Sequence, residues 1–151
     1  MARILVVDDA ANIVTLVKAT LEARGYTVDS AFNGSEGLAL AKLNKPDLII
    51  LDMMMPRMDG TEVRKKLAAD PATKGIPVIH LTAVGDFDTQ HRALDDGVVD
   101  YIVKPFTPAD LADRVAAALD PKKADKVKKE HDQKSAQMRT ISDIMKRSKE
   151  T

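Results

Sequence analysis

LIILDMMMPRMDG (48–60) begins with four aliphatic residues, then sets one acid, Asp52, ahead of three methionines and a proline. Four consecutive aliphatics suit the buried middle of a parallel sheet, where an ionised carboxylate is expensive unless it is paired. An acid placed directly after them belongs where the strand runs out and solvent or a cation begins. Residues 53–56 then read as a turn, and Asp59-Gly60 as the start of the next helix.

The same grammar repeats along the chain. Strand-length apolar runs fall at 2–7, 26–31, 47–51, 77–81 and 100–103, with helical patterns between them. The first, third and fourth are continuous rather than alternating, which predicts helices over both faces. Asn33 with Glu36 resembles a capping box, Asp86 can cap a later helix, and Thr107-Pro108 sets a cap residue before a first-turn proline. Gly25 and Gly97 stop helices, and Lys45-Pro46 keeps another from continuing. Five β-α repeats predict an α/β domain with a doubly wound, five-stranded parallel sheet.

In such sheets ligands sit beyond the carboxyl ends of the strands. The first strand ends in Asp8-Asp9, the third in Asp52, the fourth in Thr82 and the fifth in Lys104-Pro105. In the expected order 2-1-3-4-5 the first and third strands are neighbours, so three carboxylates converge. Like charges that close raise one another's pKa unless a cation is present, and an all-oxygen cluster suits Mg2+. Lys104 adds a fixed positive charge and Thr82 a hydroxyl. Together these parts suit phosphoryl transfer, which needs positioning and charge neutralisation, with a carboxylate as the acceptor. Asp52, alone at the end of the central strand, is the candidate acceptor. Each piece has an ordinary reading too: paired acids after a strand cap helices, and Thr or Lys-Pro at a strand end is common turn chemistry. Convergence on one cleft favours a site, and the second strand, ending in Ala31-Phe32 with nothing chemical, supplies the contrast.

Four pieces in this order, ILVVDDAANI, PDLIILDMMMPRMDG, PVIHLTA and GVVDYIVKPF, resemble the receiver domain of two-component response regulators over about residues 3–119. The resemblance implies the flavodoxin-like receiver fold, so the strand order above is not independent of it, and a chemotaxis-receiver-like, stand-alone protein. It further implies that Asp52 takes a phosphoryl group from a histidine kinase, using Mg2+. By the same resemblance Asp8, Asp9, Asp52 and the Met54 carbonyl are the metal ligands, with Asp9 the more direct of the acid pair. Thr82 and Lys104 contact the phosphoryl group, Tyr101 is the aromatic switch, and the Lys104-Pro105 bond is cis. Met54 and Val84 stand at positions that tune self-dephosphorylation; neither can hydrogen-bond an attacking water, so a long-lived phosphoryl group is expected. The output surface would be the fourth helix, fifth strand and fifth helix (86–119), with His91, Arg92, Asp95 and Phe106 as further contacts. His80 and His91 fall at no convergent strand end and read as structural or solvent-facing.

The 151 residues are 44% apolar with no cysteine, enough for a real core and without disulfides or thiolate metal sites. Neither a signal peptide nor a membrane span is legible, so a cytoplasmic protein is expected. Formal net charge is zero, yet 1–120 carries 13 Lys/Arg against 18 Asp/Glu, while 121–151 carries 10 against 5. That sign change predicts a receiver domain at 1–120 and a basic, helical extension at 121–151. The extension reads either as a solvated continuation of the last helix or as a short dimerisation or partner-docking helix, with a nucleic-acid contact unlikely to fit in it. The functional readings are a phospho-switch that controls partner proteins and is not a turnover enzyme, a relay to a histidine phosphotransfer protein, or the receiver of a DNA-binding regulator. A homodimer through the output surface or the extension is a further expectation.

Overall fold

A computed structural model describes residues 2–55, 58–83 and 99–120. The expected helix between Asp86 and Gly97, with Val84, His91, Arg92 and Asp95, lies outside these residues, as does the extension at 121–151. The described elements run β1 (Arg3–Val7), α1 (Ala11–Glu22), β2 (Thr27–Ala31), α2 (Gly34–Asn44), β3 (Leu48–Asp52), α3 (Gly60–Ala69), β4 (Val78–Ala83), β5 (Asp100–Lys104) and α4 (Pro108–Leu119). All five strands are parallel in the order β2-β1-β3-β4-β5. The fold class is as expected, and each strand lies within two residues of its predicted bounds.

Helix ends follow the local chemistry. Asn33 Oδ1 accepts from the Glu36 amide at 2.8 Å, while Glu36 reaches back to the Phe32 amide at 3.4 Å rather than to that of Asn33. Asp59 and Thr107 cap α3 and α4 in the same way. Lys45 closes α2 with φ 47, a left-handed cap that avoids the helical conformation disfavoured before Pro46. The last helix ends within the described residues. It stops at Leu119, with Asp120 extended at φ −97 and ψ 114 ahead of Pro121, for the same steric reason.

Two apolar layers hold the sheet. On one face Ile4, Val6, Leu48, Ile50, Ile79, Leu81 and Ile102 meet Val14, Val17 and Leu21 of α1 and Leu111 and Val115 of α4. On the other, Leu5, Val7, Ile49, Leu51 and Val78 meet Ala41 of α2 and Val63 and Leu67 of α3. Successive strand residues alternate between these layers, so every position of β3 is buried. The central strand is thereby a rigid post with Asp52 at its tip.

Candidate functional site

At the carboxyl edge of the sheet the expected residues meet. Carboxylate oxygens of Asp8, Asp9 and Asp52 all lie within 4.8 Å of one another. Lys104, arriving from β5, sets its Nζ 3.1 Å from Asp8 Oδ2 and 3.4 Å from Asp52 Oδ1. Asp8 is fully buried and Asp52 nearly so, whereas Asp9 is exposed at the mouth. The acid pair does not cap the following helix: the N-cap of α1 is Ala10, without a side-chain bond, and Asp8 Oδ1 instead accepts from the Ala10 amide at 2.9 Å.

The turn after β3 is built around the acceptor candidate. The Met54 amide donates to Asp52 Oδ1 at 3.1 Å, and the Met54 side chain is exposed. Gly60 brings the start of α3 against this turn, its amide donating to the Met53 carbonyl at 3.2 Å. A Cβ on Gly60 would sit 2.7 Å from the Asp52 carbonyl oxygen, so any other residue would push α3 off the strand end. The sequence reading took Gly60 only as a helix start; nothing short of the packed turn marks this second duty.

Burial pushes the Asp52 carboxyl up to about 6; the Met54 amide and Lys104 hold it down, and the neighbouring Asp8 carboxyl raises it. Among the described residues three acids face one ammonium here. The donor set is entirely hard oxygen, gathered within 4.8 Å, and of the kind a small divalent cation takes, so the residues fit Mg2+.

Thr82, one strand over, is buried, and its Oγ1 has no hydrogen-bond partner among the described residues. Tyr101 is half-buried on β5, and the Lys104-Pro105 bond is cis. Phe106 packs against the α1/α4 layer. His80 is structural rather than solvent-facing: it is buried, and burial drives its pKa down to about 3, helped by the Arg64 charge. The reading of the strand ends missed the Arg114 ion pair to buried Asp100 at 2.9 Å, for which an acid at a strand start was the sole sequence cue.

Order of strands, layering and an acid-lined carboxyl edge define a flavodoxin-like α/β domain with an acidic cleft at the strand ends. The profile of the response regulator receiver domain matches residues 4–116, and the chain belongs to that family. It is 44% identical over 119 residues to the DNA-binding dual master transcriptional regulator RpaA of Synechocystis, covering 79% of this chain and 49% of that protein. Identity to the phosphate regulon transcriptional regulatory protein PhoB of Pseudomonas aeruginosa is 42% over 116 residues, 77% of this chain and 51% of that one. Among solved structures, the chemotaxis protein CheY4 of Vibrio cholerae superposes with a TM-score of 0.73 at 34% identity, covering 77% of this chain and 97% of that one. The chain thus spans about half the length of the curated relatives it matches. One is named as DNA-binding, so the expectation that nucleic acid plays no part gains no support. Among the described residues no helix is long and apolar enough to cross a membrane.

Proposed function

We propose that this chain is a cytoplasmic phospho-accepting switch of a two-component system, with Asp52 as the acceptor. The observation that carries the reading is the cleft itself: three carboxylates and one ammonium gathered at the end of a rigid central strand. An Asp52 oxygen attacks the phosphorus of a phosphohistidine on a kinase or phosphotransfer protein. The P–N bond breaks, and the released imidazole takes up a proton. Asp8, Asp9, Asp52 and the Met54 carbonyl would hold Mg2+, which would supply charge neutralisation to the transferring group. Lys104 is already within reach of Asp8 and Asp52 and turns to the phosphoryl oxygens, while the Thr82 hydroxyl, which no group among the described residues claims, donates to the same group.

Those contacts exist only in the phosphorylated state, and that difference is what shifts the equilibrium. Tyr101 follows Thr82 inward and reshapes the surface around β5 and α4, which protein partners read. The chain accepts one group and releases it, without turnover of a separate substrate. A second reading, favoured by RpaA and PhoB among the relatives, is that the same switch governs a DNA-binding output. Incubation with acetyl phosphate and Mg2+, followed by intact mass, tests the acceptor. Wild type should gain one phosphoryl group and D52N none; an unmodified wild type sinks the reading. Back-transfer to a phosphotransfer histidine would make the chain a relay instead.

A further inference from the structure

His80 lies on β4, two residues before Thr82, and is 1% exposed. Neither ring nitrogen has a hydrogen-bond partner among the described residues. It faces the layer formed by Val78, Leu51, Val63 and Leu67, where an aliphatic side chain would pack without any such deficit. Buried polar groups are rarely left unpaired, and one that is calls for a state in which it is used. The imidazole is neutral, because burial and the Arg64 charge disfavour its protonated form, so one nitrogen is an acceptor.

Among the described residues, Thr82 and Tyr101 share its face of the sheet. The Thr82 hydroxyl is committed to the phosphoryl group in the proposed active state. Tyr101 is the residue paired in register with His80 on β5. Register partners in parallel strands stand side by side on one face, with their Cα atoms about 5 Å apart. Turned over the adjacent strand, Tyr101 would carry its hydroxyl toward the His80 ring.

We propose that His80 is a positioning residue of the switch: its ring nitrogen accepts the Tyr101 hydroxyl when Tyr101 turns inward. The resting state then holds an unsatisfied buried acceptor and the active state satisfies it, so the histidine biases the equilibrium toward activation. This inference rests on the switch reading of Tyr101 given above.

Tyr26 and Tyr101 are the chain's two tyrosines, so fluorotyrosine labelling yields two fluorine resonances, and Y26F assigns them. With beryllofluoride and Mg2+ as the phosphoryl mimic, the ratio of inward to outward Tyr101 is read directly. H80L should lower that ratio roughly fivefold, the worth of one buried hydrogen bond. H80Q, which restores an acceptor, should recover most of it. An unchanged ratio in H80L overturns the proposal, as does an H80Q protein that fails as badly as H80L, which would mean packing alone. A wild type that carries the phosphoryl group by intact mass yet shows no Tyr101 response overturns the switch reading, and this inference with it.

Discussion

Replacing Asp52 with asparagine should make the metal-free protein more stable at neutral pH, although it removes the group on which the function depends. The folded environment raises this carboxyl from 3.8 to about 6, chiefly by burial and against the pull of Met54 and Lys104. At about 1.4 kcal/mol per tenfold, keeping it ionised in the folded state costs about 3 kcal/mol. A raised carboxyl pKa means the folded protein holds the proton more tightly than the unfolded chain. The penalty is absent below pH 3.8, grows between 3.8 and about 6, and is complete above that. D52N abolishes it while keeping an oxygen to accept from the Met54 amide. Urea denaturation in EDTA should show D52N about 2–3 kcal/mol more stable than wild type at pH 7.5, and the gap should close by pH 4. Added Mg2+ should narrow the gap at pH 7.5 by stabilising wild type more than the variant. A D52N protein equal to or weaker than wild type at pH 7.5 without metal would refute the account of Asp52 as a strained charge.

His80 should titrate in the opposite sense: its folded pKa of about 3 lies below the ordinary 6.5, so it destabilises the fold as pH falls through that window. Wild type should lose about 1.4 kcal/mol per pH unit relative to H80M below pH 6, a comparison that cancels the Asp52 contribution; parallel stability curves for the two would contradict it. R114A strips the buried Asp100 carboxylate of its ion-pair partner and should cost about 3 kcal/mol, with D100N/R114A recovering part of the loss in the same urea assay. The phosphoryl group on Asp52 should persist well beyond seconds in Mg2+, and M54N, which offers an attacking water a hydrogen bond, should shorten its half-life measured by intact mass. A wild-type half-life of seconds would count against the apolar Met54 as a brake.

Much of the architecture was legible because it follows from local pattern. Continuous aliphatics at 48–51 can be stable only between two helical layers, and Asn33, Asp59 and Thr107 announce helix starts that the amide bonds then make. The site was legible for a related reason: each of its acids, its lysine and its threonine ends a strand, and parallel strands end together. Less legible was the end of the last helix: Pro121 disfavours the helical conformation at Asp120, and α4 stops at Leu119.

Sequence alone, then, determined the α/β class, the candidate acceptor and the residue types around it, because strand period and strand ends are properties of neighbours along the chain. Tertiary structure decided what those residues experience. Lys104 meets Asp8 across 96 positions, the Asp52 carboxyl is pushed up to about 6, and His80 is enclosed without a hydrogen-bond partner among the described residues. Burial and charge proximity are sums over atoms distant in sequence, so no local reading of LIILDMMMPRMDG could supply them.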